Sequence, residues 1–158
     1  MKKQIFQINT TNNNSFDPIA DGYYNSTPEI PQQYLNLLQK IVHITSEDSV
    51  IDLGCGSGDL AIAFAKQSSF VEALDASGKM IEMAKEKDKE RNVRWIHQPV
   101  ENFTFEPEKY TLIFSYESFH LFPNHKELIE KCAKALKPGG FLGIGWVMYS
   151  FDFHLKEA

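Results

Sequence analysis

An apolar strand that runs straight into a triple-glycine turn constrains this chain more than any other feature. The run Val50-Ile51-Asp52-Leu53 stops at Gly54-Cys55-Gly56-Ser57-Gly58, and Leu60, Ala61, Ile62, Phe64 and Ala65 then mark an apolar helix face. The backbone must leave a strand, turn sharply and enter a helix. Glycine permits the positive φ such a turn needs and lets the backbone come close to a ligand. The free N–H groups of the helix start then face the crevice at the strand's carboxyl end. That device serves many ligands, and two details sharpen it. The spacing is Gly-x-Gly-x-Gly, not the Gly-x-Gly-x-x-Gly of dinucleotide sites. Asp52 also sits two residues before the first glycine, at the end of the strand, where its charge disfavours a pyrophosphate and suits an ammonium or sulfonium group.

Downstream, Phe70-Val71-Glu72-Ala73-Leu74-Asp75 reads as a second strand. Its last residue, Asp75, is expected to face the same crevice, where a carboxylate accepts two hydrogen bonds from a ribose diol. The bland alternative is that Asp75 only caps the next helix, but Ser77 is the better N-cap. Met80, Ile81, Met83 and Ala84 form that helix's apolar side, and residues 85–91 alternate in sign like a solvated helix end and loop. Residues 93–97 and 110–115 read as strands three and four. Leu128, Ile129, Cys132 and Leu136 mark a further helix, stopped by Lys137-Pro138-Gly139-Gly140. Residues 141–146 are the fifth strand. Upstream, Leu35, Leu38, Ile41 and Val42 recur at helical spacing behind Pro31. Strands alternating with helices call for an α/β fold with a mostly parallel sheet covered on both faces. Residues 1–28 are polar and turn-rich and read as a tail or flap; residues 29–158 read as one Rossmann-like domain.

A chain of 158 residues is long enough to bury one core. Sixteen basic and twenty-one acidic residues give a net charge of -5, with no basic stripe, so no nucleic-acid partner is expected. The N-terminus lacks the apolar stretch of a secretion signal, and no apolar run approaches the roughly 20 residues of a membrane span. Cys55 and Cys132 are expected to be reduced thiols of a cytoplasmic protein. Zinc-type spacing is absent, so no metal is expected, and His97, His120 and His125 are scattered.

The glycine loop and its neighbours resemble the class I S-adenosylmethionine (SAM)-dependent methyltransferases over roughly residues 16–147. Residues 50–60 are similar to the family's first motif, beneath the methionyl part of SAM. Ala73-Leu74-Asp75-Ala76-Ser77 with Met80 resembles the second, and residues 93–103 the third, which flanks the adenine. Residues 110–115 with Phe119-His120-Leu121-Phe122 are similar to the fourth strand and the loop bordering the methyl group. Residues 135–141 resemble the turn before strand five, and Phe16-Asp17-Pro18-Ile19-Ala20-Asp21-Gly22-Tyr23-Tyr24 resembles the N-terminal flap of small-molecule methyltransferases.

The resemblance implies a strand order 3-2-1-4-5 and a SAM site built from Tyr24, Asp52, Gly54, Cys55, Gly56, Gly58, Asp75, Ala76, Met80, Pro99, Val100 and Ser115. Asp52 would balance the ammonium, Asp75 would hold the ribose, and Ala76 or Met80 would pack on the adenine. Tyr23, Tyr24, Tyr116, Glu117 and His120 would line the acceptor side, His120 serving either as a general base or merely as a loop side chain. The sequence departs from the family where Pro99 replaces an acid beside the adenine, where Thr111 opens strand four, and at Thr27. The family's strands six and seven are expected to be absent, which leaves residues 141–149 as an apolar edge expected to pair with a second copy in a homodimer, with the tail Phe151-Asp152-Phe153, or with a missing partner. Three functions stay open: a methyltransferase acting on a small molecule, a non-catalytic SAM-binding remnant or subunit, and, disfavoured by Asp52 and the glycine spacing, a nucleotide-dependent oxidoreductase.

Overall fold

The computed structural model describes residues 43–145 together with Asp17 and Lys40. Along the chain run β1 (Ser49–Leu53), α1 (Asp59–Ala65), β2 (Phe70–Asp75), α2 (Gly78–Lys87), β3 (Val93–His97), β4 (Tyr110–Tyr116), α3 (His125–Ala135) and β5 (Leu136–Gly145). Short 3-10 turns over Val100–Asn102 and Phe119–Leu121 interrupt the two longest loops. The strands form one sheet in the order β3-β2-β1-β4-β5, with every neighbouring pair parallel. Both the fold class and the order match the sequence-based expectation.

β1 is buried along its whole length because it is the central strand, with layers above and below. Alternate residues serve opposite faces. Val50, Val71, Ala73, Leu112 and Phe114 pack against Leu60, Ala61 and Phe64 of α1. Ile51, Leu53, Leu74 and Ile113 pack against Leu128, Cys132 and Ala135 of α3. Helices therefore lie on both faces, and each buried Leu or Ile contributes on the order of 1.5–3 kcal/mol. The chain turns from one side of β1 to the other between β3 and β4. That reversal opens a crevice at the carboxyl ends of β1 and β4.

Three local readings need correction. β5 begins at Leu136, not at Phe141, and runs through the Lys137–Gly140 turn signal. Its register with β4 jumps between the pairs Tyr110–Leu136 and Leu112–Phe141, so the turn survives as a bulge inside the strand, with Gly139 at φ 81°. Residues 85–91 are not uniformly solvated, because Asp88 is buried and accepts from the Val93 N–H (3.2 Å) and Trp95 Nε1 (3.1 Å). Glu72, read only as part of a strand, is 1% exposed. Its carboxylate takes Arg94 Nη1 at 2.7 Å, Lys109 Nζ at 2.9 Å and the Tyr110 hydroxyl at 2.5 Å. A buried carboxylate is tolerated when it is paired in this way.

Among the described residues no helix is long and apolar enough to cross a membrane. The expected flap over 1–28 apart from Asp17, the first helix apart from Lys40, Trp146 of the expected fifth strand and everything after it lie outside the described residues.

Candidate functional site

The three loop glycines differ in what holds them. All have positive φ, at 71° for Gly54, 51° for Gly56 and 83° for Gly58. A Cβ on Gly54 would stand 2.6 Å from the Ser118 side chain, and one on Gly58 would stand 2.4 Å from the Trp95 ring. One on Gly56 would meet nothing within 4 Å among the described residues. Gly54 and Gly58 thus close against the protein, while Gly56 opens to the crevice. The loop's N–H groups are anchored to the end of β2. Those of Gly54 and Cys55 donate to the Leu74 carbonyl at 2.8 and 3.0 Å, and that of Gly56 donates to Asp75 Oδ2 at 2.9 Å.

Asp52 and Asp75 stand on one face of the sheet, since Asp52 pairs in register with Ala73 and Phe114 of the α1 face. Asp52 is 2% exposed, and among the described residues no donor reaches its carboxylate. Burial, and then the nearby Asp75 charge, push its carboxyl up to about 8. Asp75 is half-buried and accepts from Gly56 through Oδ2 and from the Ser77 N–H through Oδ1 at 2.9 Å. Burial raises its carboxyl as well, against the pull of those two N–H groups. Each oxygen of Asp75 still has a second lone pair for a ligand hydroxyl. The Cys55 thiol is also held well above its ordinary range by burial and by the two carboxylates, so it remains a thiol.

The rim of the crevice comes from β2, β3 and β4. Ser77 caps α2 as expected, its hydroxyl accepting from the Met80 N–H at 3.2 Å. Ala76 is half-buried and Met80 fully buried, so Ala76 is the more open of the two expected adenine contacts. Pro99 is half-buried, whereas the Val100 side chain belongs to the core on the α3 face. Ser115 is fully buried and its hydroxyl pairs with Ser118 Oγ at 2.8 Å, while Ser118 Oγ donates to the Leu53 carbonyl at 2.9 Å. Tyr116 and Glu117 follow at the end of β4, half-buried. His120 is exposed on the 3-10 turn after them. Tyr23 and Tyr24 lie outside the described residues.

Two contacts at this rim were not read from the sequence. Asp17 Oδ1 takes the Ser77 hydroxyl and the Lys79 N–H (3.3 Å) at the start of α2. The His97 ring lies 3.1 Å from the Ala76 carbonyl and fills the space beside Gly78. Neither had a local signal, because both partners are distant in sequence. Among the described residues there is no cluster of His, Cys, Asp or Glu able to hold a metal ion.

Comparison with known proteins places this geometry in a family. Residues 50–140 match the family described as the methyltransferase domain. The ubiquinone biosynthesis O-methyltransferase of Coxiella burnetii is 26% identical over 89% of this chain and 63% of its own length. The malonyl-[acyl-carrier protein] O-methyltransferase of Priestia megaterium is 32% identical over 77% of this chain and 44% of its own. Among solved structures, the YcgJ protein of Bacillus subtilis superposes with a TM-score of 0.65 at 26% identity, over 70% of this chain and 49% of that one. The chain therefore spans less than two thirds of the curated relatives it matches.

Proposed function

This chain belongs to the class I SAM-dependent methyltransferase family, and from that premise we propose that it transfers the methyl group of SAM to a small molecule. The observation that carries the reading is Asp52. Asp52 is a buried carboxyl beside a second carboxylate, reached by no donor among the described residues, and its ionised form is costly unless a cation completes the site. SAM offers that cation together with a ribose diol for Asp75. The space at Gly56, beside Asp75 and open among the described residues, suits its methionyl–ribose part. Bound SAM supplies an electrophilic methyl group on a sulfonium.

The residues around it bind, orient and exclude water. Asp52 balances the ammonium, directly or through water. Gly54, Cys55, Gly56 and Gly58 bring backbone to the methionyl and ribose groups. Asp75 orients the ribose hydroxyls while holding Gly56 in place. Ala76, with Met80 behind it, and Pro99 with the Val100 backbone bound the adenine. The Ser115 backbone lies near the methionyl amine, and Tyr24, outside the described residues, is assigned to the cofactor-binding set. On the acceptor side, Tyr23, Tyr116 and Glu117 line the approach to the methyl group. His120 is the candidate base, although an acceptor that is already nucleophilic needs none.

The two similar O-methyltransferases, one of ubiquinone biosynthesis and one of a malonyl carrier protein, support an oxygen nucleophile on the acceptor. Two free cysteines, Cys55 and Cys132, support a cytoplasmic setting. The test is methyl transfer from labelled SAM to a fractionated pool of small metabolites. Label in one fraction, lost on Asp75→Ala, is the expected result. Tight SAM binding with no labelled product in any fraction would contradict turnover and leave a SAM-binding subunit.

A further inference from the structure

The glycine loop is braced from its core side by a corner that the proposed function does not use. Trp95 of β3 lies in one cross-strand row with Ala73 and Asp52. Its ring edge occupies the space where a Gly58 side chain would project, 2.4 Å from that Cβ position, and the Ala84 methyl of α2 stands at 2.9 Å. The indole is fixed at its other end, where Nε1 donates to Asp88 Oδ2 at 3.1 Å. Asp88 is buried just past α2, and the same oxygen takes the Val93 N–H. The end of α2 also reaches the loop directly. Lys87 Nζ contacts Ser57 Oγ at 3.0 Å and Asp59 at 2.9 Å, and Ser57 Oγ donates to Asp59 at 2.9 Å.

We propose that Trp95, held by Asp88, is a positioning residue for the cofactor: it packs against Gly58, whose φ is 83°, and so sets the path of the loop's backbone along the crevice. The inference rests on the SAM reading above. The indole packs against the Gly58 Cα and leaves the loop backbone no room to sink towards the core. A hydrogen bond to Asp88, itself buried and held by the Val93 N–H, stops the indole from swinging away, because an unpaired indole N–H would be costly there. The Lys87 contacts add a second, solvent-screened hold on Ser57 and Asp59.

The experiment measures S-adenosylhomocysteine affinity calorimetrically on the full chain, at a temperature where each variant is shown to be folded. Trp95→Leu is expected to weaken binding roughly five- to tenfold. Gly58→Ala is expected to weaken it more, and the double variant is expected to be no worse than Gly58→Ala alone, since both act through one backbone position. Asp88→Asn keeps an acceptor for the indole and is expected to stay within about twofold of the wild type, whereas Asp88→Ala is expected to follow Trp95→Leu. If Trp95→Leu does not fold, Trp95→Phe takes its place in the same cycle. Unchanged affinity in Trp95→Leu, or penalties that multiply in the double variant, would overturn the brace while leaving the SAM reading intact. A wild-type chain that binds no S-adenosylhomocysteine would overturn the functional reading, and the brace with it.

Discussion

At the scale of single residues, Asp52 carries the most consequence. Its carboxyl is raised from 3.8 to about 8 by burial and by Asp75. A group raised in the folded state contributes stability that is full below its unfolded pKa and lost as pH rises through the folded one. Without ligand, Asp52→Asn should therefore match the wild type only below about pH 4, gain on it as pH rises, and melt higher than it at pH 9. The gain amounts to about 2–4 °C for each kcal/mol recovered in a domain of this size, and thermal melts across that range check it. Cation binding runs the other way. Wild-type affinity for SAM should rise from pH 6 towards 8 as Asp52 ionises, and Asp52→Asn should bind more weakly with a flat profile. Asp75→Ala should lose at least about tenfold in affinity, because it removes both the ribose acceptor and the acceptor for the Gly56 and Ser77 N–H groups. Asp52, Asp75 and Ser77 were legible in the sequence because each sits at a strand end or helix start that fixes where it points. Glu72, Asp88 and Asp17 were not. Their partners are supplied by tertiary folding, as when Glu72 meets Lys109 and Tyr110, and no local pattern records that.

At the scale of elements, β1 and β2 begin and end where the apolar runs do. Each run is bounded by residues with one conformational role: glycine after β1, and Asp75 with Ser77 after β2. β5 escaped that logic. Lys137-Pro138-Gly139-Gly140 carries turn chemistry, yet pairing with β4 on both sides holds it as a bulge, so pairing overrode local preference. The buried end of β4 is tied across β1 to β2 through Tyr110 and Glu72. Burial, and then Glu72, raise the Tyr110 phenol far above its ordinary range, so its hydroxyl donates at every working pH. Tyr110→Phe should destabilise the fold by about 1–2 kcal/mol without changing cofactor affinity, since the contact is remote from the crevice. Denaturant midpoints and calorimetric titration of the same variant test the two halves of that expectation.

At the scale of the whole molecule, the α/β class and the strand order were readable from the alternation of short apolar runs and helical faces, because parallel pairing and right-handed crossovers leave few arrangements. Among the described residues β5 pairs only with β4, and Phe141 and Ile144 on it are 45% and 37% exposed. An apolar edge of that kind favours pairing with a second copy. Light scattering is expected to report a dimer, and Ile144→Lys to shift it towards monomer; a wild-type monomer with rapid amide exchange in β5 would rule this out. The central claim is a crevice built for a cation joined to a ribose. Calorimetric titration of the chain with SAM, S-adenosylhomocysteine and NAD tests it most directly. Saturable binding of the first two, weakened by Asp75→Ala, and none of NAD is the expected result. Binding of NAD with no response to SAM would contradict it.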